Sequence, residues 1–239
     1  MLAGVRLAFS WLTVLPLRVR HVDRDVAGTA ITVAPLVGLV LGGAAAGLLL
    51  LLDLVGIDGL LAGFLVVGFL ALATRGMHLD GLADTADGLG SYRGAERALA
   101  IMREGPVGPF GVVALVLTLC VQAAAINDWP EVILAVTTGR VAFVVCCHGV
   151  PAARPEGLGA LVAGTQPVGA PVFWLIGLLL CSPLGDIAHP YKGPVAIALA
   201  TGLVLLVIQH VQKRLGGITG DVLGAASELA TTTVLVVVS

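Results

Sequence analysis

Long apolar segments alternate with short polar ones along most of the chain. A helix needs about 20 apolar residues to cross the hydrocarbon core of a bilayer, and seven segments approach or exceed that length. They cover residues 31–52, 60–74, 107–126, 132–150, 168–184, 195–208 and 222–238. The second segment is short, so we expect it to be tilted, sheltered by other helices or continued into the polar motif that follows it. The pattern predicts an all-α, polytopic integral membrane protein with about seven transmembrane helices.

The first twenty residues, MLAGVRLAFSWLTVLPLRVR, have a different pattern. Arg6, Trp11, Arg18 and Arg20 interrupt the apolar positions, which is typical of an amphipathic helix lying on a membrane surface. No basic start precedes a clean apolar core, and no small-residue cleavage site follows it, so we expect no cleaved signal peptide. Because no linker or change of composition divides the chain, we expect residues 1–239 to form a single domain.

Composition supports the membrane interpretation. Hydrophobic residues make up 58% of the chain and charged residues 12%, and the mean hydropathy is +1.03. A soluble domain cannot hide so much apolar surface, because its outside must be polar. The net charge of −2 argues against nucleic acid as a partner, since nucleic-acid binding needs a basic surface.

Basic residues are distributed unevenly between the two predicted sides of the membrane. One side carries Arg18, Arg20, Arg24, Arg75, Arg93, Arg97, Arg103, Arg154, Lys213 and Arg214, whereas the other carries Lys192. The positive-inside rule then predicts that the N-terminus and the polar motifs face the cytoplasm. In a bacterium this would be the inner membrane. Arg140 lies within a predicted span, where an arginine indicates a functional site and normally has a partner.

The motif HLDGLADTADG, residues 78–88, follows the second apolar segment. On a helix its spacing places Asp80, Asp84 and Asp87 on one face. Three neighbouring carboxylates repel one another unless a cation lies between them, and oxygen ligands suit Mg²⁺, which also binds substrate phosphates. The alternative is a solvated acidic helix end. The flanking candidates are Gly81 and Gly88, for close approach of a diphosphate or a helix, and His78, for hydrogen bonding or proton transfer.

A second motif, LGGITGDVLGAASELA, places two further carboxylates near the C-terminus. Asp221 and Glu228 are seven residues apart and nearly in register on a helix. The glycine-rich stretch before them can bind phosphate at a helix start. The alternative is a flexible loop, followed by a helix whose carboxylate pairs with an arginine. The residues of this region that we predict to contact substrate are Gly217, Gly220, Lys213 and Arg214.

Arginines elsewhere complete a predicted phosphate site. Arg103 and Glu104 lie in IMREGPVGPFG, Arg154 lies in PAARPEGLG, and Arg140 lies in TTGRVAF. The planar guanidinium suits phosphate oxygens, and Glu104 is a candidate for metal or substrate contact. Carboxylates that hold a divalent metal beside arginines favour phosphoryl transfer or diphosphate cleavage. The sequence contains no GxxxxGK[ST], GxSxG or HExxH motif, which argues against P-loop ATPases, serine hydrolases and zinc proteases.

Four motifs, in this order, resemble those of the cobalamin synthase family, the adenosylcobinamide-GDP ribazoletransferases. They are HLDGLADTADG, IMREGPVGPFG, EGLG and LGGITGDVLGAASEL, and FSWLTVLPL and APLVGLVLGG resemble the family's opening blocks. The resemblance implies a membrane enzyme that joins adenosylcobinamide-GDP to a ribose hydroxyl of α-ribazole or α-ribazole 5′-phosphate. It also implies that GMP is released and that Mg²⁺ is required. The chain departs from the family where Glu104 stands in place of an aspartate.

The predicted site follows from both lines of reasoning. The candidate catalytic residues are Asp80, His78 and Asp84, and the candidate metal ligands are Asp80, Asp84, Asp87, Asp221 and Glu228. Asp80 is the strongest candidate for an essential residue. Two alternatives stay open: a CDP-alcohol phosphotransferase of the lipid type, and a cation-coupled transporter that uses intramembrane carboxylates. The oligomeric state also stays open, a homo-oligomer included.

Overall fold

The computed structural model describes residues 1–103, 106–184 and 189–239, and the predicted contact residue Glu104 lies outside them. The described residues form α-helices and one short 3-10 turn, Ser182–Leu184, with no β-strand. The helices are α1 (Leu2–Leu12), α2 (Arg24–Leu54), α3 (Gly59–Ala73), α4 (Met77–Gly90), α5 (Ala95–Ile101), α6 (Pro109–Ala125), α7 (Trp129–Cys146), α8 (Leu158–Val162), α9 (Gly169–Cys181), α10 (Lys192–Leu215) and α11 (Gly220–Val238).

The predicted all-α membrane architecture is confirmed. Each of the seven apolar segments is helical, as α2, α3, α6, α7, α9, α10 and α11. Among the described residues, four of these helices (α2, α7, α10 and α11) are long and apolar enough to cross a membrane. The helices α3 and α4 pass the same test only as a pair, which would make a fifth span, and α6 and α9 are shorter. The chain is therefore a multi-pass membrane protein.

The centre of the bundle is formed by α7 and α11. Their apolar windows are 72% and 67% buried, against 39% for α2 and 33% for α10, so the latter two lie on the outside. The helices α2 and α7 approach closely because glycine carries no side chain: a Cβ at Gly38 would lie 2.9 Å from the Cα of Thr137. This is the packing role expected of small residues in membrane helices.

A sharp bend separates α3 from α4. The backbone of Arg75 and of Gly76 is left-handed, with φ of 58° and 65°, and the two helix axes meet at 92°. After the bend, α4 packs against α6 and α11. The first aspartate motif therefore lies across the start of the last helix.

The N-terminal helix α1 packs along α2, with Leu7 and Ala8 buried. The guanidinium of Arg75 donates hydrogen bonds to the backbone carbonyls of Ser10 and Trp11, at 3.0 and 3.1 Å, and so holds the C-terminal end of α1 against the bend. The predicted helix is present but shorter than expected, because Arg18 and Arg20 lie beyond its last residue.

Candidate active site

A group of carboxylates lies where α4 crosses α11. Asp80 and Asp84 project from α4, and Asp221 lies in the first turn of α11. The carboxylate of Asp84 is repelled by Asp80, Asp221 and Asp87 and attracted by Arg154. Asp80 is exposed, and Asp84 and Asp221 are partly buried. In the described part of the chain, no hydrogen bond reaches the carboxylate of Asp80 or Asp84, so their oxygens are available to a ligand.

Two glycines set the distance between these helices. A Cβ at Gly81 would lie 2.7 Å from the carbonyl oxygen of Asp221, and one at Gly224 would lie 3.1 Å from the Cα of His78. The prediction that Gly81 permits close approach is thus explained by a helix rather than by a diphosphate. Main chain packs against main chain here, which brings the α4 carboxylates to the start of α11.

Arg154 joins the carboxylates from a third segment of the chain. Its Nη1 lies 3.7 Å from Oδ2 of Asp221, and its Nη2 donates a 2.6 Å hydrogen bond to the carbonyl of Leu99 at the end of α5. Asp221 also accepts a hydrogen bond of 3.1 Å from the hydroxyl of Thr219, which caps α11. A guanidinium is therefore held beside the carboxylate of Asp221.

The donor chemistry of this group fits Mg²⁺. Its ligands would all be carboxylate oxygens, which hard cations prefer. Among the described residues, no three His, Cys, Asp or Glu side chains are arranged as a ready-made metal site. Mg²⁺ does not require such a cage, since it usually binds one or two carboxylates together with waters and substrate phosphates.

Asp87 has a different environment from the other two aspartates of its motif. Its two carboxylate oxygens accept hydrogen bonds from the backbone N–H groups of Gly108 and Gly111, at 2.7 and 2.9 Å. These donors lie at the start of α6, where N–H groups lack partners within the helix. Asp87 therefore caps α6 and ties it to α4. Its assignment as a metal ligand stays a prediction, and both of its oxygens already have donors.

Glu228 is separated from Asp221 along α11. Seven residues of helix rise about 10 Å, which is too far for these two carboxylates to bind the same ion. Glu228 is 9% exposed and accepts a 2.8 Å hydrogen bond from the side chain of Gln122 on α6. It also interacts electrostatically with Arg140, a buried residue of α7. The alternative raised by the sequence, a helix carboxylate that pairs with an arginine, describes Glu228 better than metal binding.

Arg140 and Glu228 meet His78 at the centre of the bundle. Nη2 of Arg140 lies 3.3 Å from Nδ1 of His78, and Oε1 of Glu228 lies 4.0 Å from the same nitrogen. Arginine is a donor only, so Nδ1 accepts the hydrogen bond and the proton of the neutral imidazole is on Nε2. That Nε2–H is buried and has no partner within the described residues.

The remaining predicted phosphate contacts are spread over the nearby surface. Arg103 and Arg154 line a cleft of about 400 Å³ together with Glu96 and Glu156. Arg214 donates a 3.3 Å hydrogen bond to the carbonyl of Arg93, and Lys213 is exposed. The structure therefore brings Arg103 and Arg154 together, while Lys213 and Arg214 lie at the end of α10.

The other predicted glycines pack against protein. A Cβ at Gly88 would meet the side chain of Met102, and one at Gly220 would lie 3.3 Å from the side chain of Leu158. Gly217 lies against the backbone of Pro151 and Ala152. Close packing against protein explains these three glycines without a bound phosphate.

A cavity of about 390 Å³ lies at the crossing of α4 and α11. Its lining includes Met77 and His78 of α4, Leu223 of α11, and the apolar side chains of Trp11, Phe143 and Leu161. Sequence reasoning did not single out Trp11 or Phe143 as site residues, because an aromatic residue in an apolar segment looks like any packing residue. It also missed Gln122, although a lone amide inside an apolar helix is itself a signal for a buried polar partner.

Comparison with known proteins identifies the family of this chain. The family model for cobalamin-5-phosphate synthase matches residues 4–239. A protein from Nocardioides sp. called adenosylcobinamide-GDP ribazoletransferase is 44% identical, over 94% of this chain and 93% of its own length. Proteins of the same name from Frankia casuarinae and Pseudomonas fluorescens are 39% and 37% identical, over 100% and 96% of this chain and 95% and 96% of their own lengths. No solved structure is significantly similar. The chain belongs to the cobalamin-5-phosphate synthase family.

Proposed function

We propose that this chain is an adenosylcobinamide-GDP ribazoletransferase that requires Mg²⁺ and acts in the last steps of cobalamin biosynthesis. Its family and the names of its full-length relatives support the activity. One observation carries the assignment of the site: Asp84 interacts electrostatically with Asp80 and with Asp221 of a second helix, and the guanidinium of Arg154 lies 3.7 Å from Asp221. Carboxylates next to an arginine suit a substrate that contains a diphosphate.

The reaction exchanges one phosphate ester bond for another. A ribose hydroxyl oxygen of α-ribazole, or of its 5′-phosphate, bonds to the phosphorus that carries the cobinamide arm. The bond between that phosphorus and the bridging oxygen breaks, GMP leaves with the electron pair, and the hydroxyl proton is released. When bound, Mg²⁺ neutralises charge on the diphosphate and the departing GMP, and one or two of Asp80, Asp84 and Asp221 would hold it together with the substrate phosphates.

The other residues bind and orient. Arg154 can donate to a phosphate oxygen while its second amino group stays fixed on Leu99, and Arg103 lines the same cleft. The cleft lined by Arg103 and Arg154 suits the phosphates of adenosylcobinamide-GDP, because Arg154 also lies beside Asp221. The basic residues near it would place the active site on the cytoplasmic side of a bacterial inner membrane, where nucleotides are available.

The direct test uses the protein in nanodiscs supplied with adenosylcobinamide-GDP, α-ribazole 5′-phosphate and Mg²⁺. We expect release of GMP with formation of a cobalamin product, and loss of both when a chelator is added. Asp80→Asn should lower turnover by about 100-fold or more, as for loss of one transition-state electrostatic contact. Asp53→Asn, at an exposed carboxylate near the end of α2, is the matched control and should be as active as the parent.

Two results would count against the proposal. Release of CMP from a CDP-alcohol, without GMP release, would identify a lipid-type phosphotransferase. Full activity of folded Asp80→Asn would remove the metal assignment.

A further inference from the structure

We infer that the 390 Å³ cavity beside the carboxylates binds the benzimidazole base of the acceptor, α-ribazole, and does not hold the corrin ring or the guanine. This inference rests on the proposed function and assigns one substrate to one part of the site. The cavity shares two helices with the carboxylates: α4 contributes His78 to the cavity and Asp80 to the cluster, and α11 contributes Leu223 and Asp221. A base held there lies at the same crossing of α4 and α11 as the carboxylates.

The size of the cavity distinguishes the benzimidazole of α-ribazole from the much larger corrin ring. Ligand cavities span about 300–1,000 Å³, and this one, at about 390 Å³, lies at the small end of that range. A benzimidazole with part of its ribose fits this space. A corrin macrocycle with its peripheral amide side chains is far larger and has to remain outside.

The chemistry of the wall selects the benzimidazole over guanine. The lining is mainly apolar, with the rings of Trp11 and Phe143 and the side chains of Leu12, Ile31, Leu158 and Leu161. Guanine presents several donors and acceptors along one edge, and leaving them unpaired in an apolar site is strongly unfavourable. The dimethylbenzimidazole of α-ribazole presents an apolar bicyclic surface and a single lone-pair nitrogen.

Two polar side chains, those of His78 and Arg75, line the cavity, and Arg75 already donates to the backbone carbonyls of Ser10 and Trp11. The Nε2–H of His78 is buried, and within the described residues it has no hydrogen-bond partner, while Arg140 occupies the Nδ1 side of the ring. Buried polar groups normally have partners, and His78 is a residue of the cavity lining. His78 is 2% exposed and its ring lies 5.4 Å from that of Phe143, which holds its orientation.

The wall is also fixed before any substrate arrives. Arg75 clamps the carbonyls of Ser10 and Trp11, and the backbone N–H of Val14 donates a 2.8 Å hydrogen bond to the carbonyl of Ala73. These hydrogen bonds hold Trp11 beside the bend between α3 and α4. A preformed wall reduces the entropy that the ligand loses on binding.

The first experiment measures binding without turnover. Titration of α-ribazole into the protein in nanodiscs, with no adenosylcobinamide-GDP present, should change the tryptophan fluorescence in a saturable way. Trp11→Phe keeps an aromatic wall and should remove most of that change. Trp129→Phe is the matched control and should keep it, because Trp129 lines a separate cavity of about 220 Å³ at the start of α7. GMP, titrated alone, should produce no change that depends on Trp11.

The second experiment measures which substrate the cavity serves. Leu161→Phe enlarges a side chain in the wall and should raise the KM for α-ribazole about tenfold, a typical effect of changing the size of an apolar pocket. The KM for adenosylcobinamide-GDP should stay within twofold of the parent value. Leu178→Phe, in the 220 Å³ cavity, should change neither value.

The outcomes separate this inference from the proposed function. Turnover with no fluorescence change from α-ribazole, or a rise in the KM for adenosylcobinamide-GDP in Leu161→Phe, would overturn the inference and leave the function standing. Saturable, Trp11-dependent binding of α-ribazole by a protein that releases no GMP would support the cavity assignment and count against the proposed reaction. A cavity filled by a lipid chain would give no response to α-ribazole at all.

Discussion

Asp221 and Glu228 lie on the same helix, two turns apart, in opposite environments. Asp221 is partly exposed and lies among other carboxylates, with Arg154 as its cation. Glu228 is buried and has Gln122 and Arg140 around it. At the start of α11, several carboxylates therefore lie close together and can still bind a ligand. In the middle of α11, the carboxylate is buried and already has its partners. A residue at the first place should matter for turnover and one at the second for stability.

Arg140→Met should have the largest effect, and it tests whether the buried charge around Glu228 serves stability. Loss of the guanidinium leaves Glu228 buried with Gln122 but without a cation, and removing one partner of a buried charge pair lowers the free energy of unfolding by about 3–5 kcal/mol. Thermal unfolding in detergent or nanodiscs measures the loss. The double variant Arg140→Met/Glu228→Met should recover much of it. Equal destabilisation by Arg97→Met, at an exposed arginine, would contradict this reading.

Asp84→Asn should act in the opposite direction on stability. The substitution removes repulsion from Asp80, Asp221 and Asp87, so the unfolding midpoint should stay the same or rise. Turnover should nevertheless fall by about 100-fold, because an amide cannot replace a carboxylate at a metal site. Steady-state GMP release and a parallel unfolding curve supply both numbers. A variant that loses stability and activity together would show that Asp84 is mainly structural.

Gly81→Ala tests whether the spacing of α4 and α11 matters. The added Cβ would lie 2.7 Å from the carbonyl oxygen of Asp221, so the helices must separate, at a cost of about 1–3 kcal/mol in unfolding free energy. Activity should fall as well, since Asp84 and Asp221 move apart. Gly47→Ala is the matched control: its Cβ has nothing within 4 Å, and alanine should maintain or increase stability there. Similar effects from both variants would exclude the spacing explanation.

Asp87→Ala should have the smallest effect, about 1 kcal/mol, which is typical for loss of a helix N-cap. Both of its oxygens accept backbone N–H groups at the start of α6. Asp87→Asn keeps one acceptor oxygen and should retain part of the stability. If Asp87 is instead a metal ligand, as the sequence suggested, both variants will lose turnover as completely as Asp84→Asn, and GMP release distinguishes the two cases.

The fold could be predicted from sequence to a large extent because apolar length is a strong signal. All seven apolar segments proved helical, and α2 differs mainly in beginning at Arg24, where Asp23 accepts a 2.8 Å hydrogen bond from the N–H of Val26. The number of full spans was less predictable. Length rules cannot anticipate the bend at Arg75 and Gly76, because that bend depends on left-handed backbone at a non-glycine residue.

The candidate site was predictable in its residue types and less so in its partners. The spacing of Asp80, Asp84 and Asp87 on one helical face did not reveal that Asp87 is used by α6, which comes from a later part of the chain. Likewise, Asp221 and Glu228 share one face of α11, but Glu228 is buried in the bundle and Asp221 is not. Helical periodicity describes which side chains share a face, and only tertiary packing decides what that face meets.

The crossing at Gly81 and Gly224 has a consequence for how this sequence can diverge. A Cβ at Gly81 would overlap the carbonyl oxygen of Asp221 at 2.7 Å, and one at Gly224 would lie tightly, at 3.1 Å, against the Cα of His78. In both cases the neighbour is backbone, which cannot rotate out of the way as a side chain can. A single substitution at a neighbouring residue therefore cannot compensate for replacing either glycine. Working descendants of this chain should keep both glycines together, whatever happens to the lipid-facing residues around them.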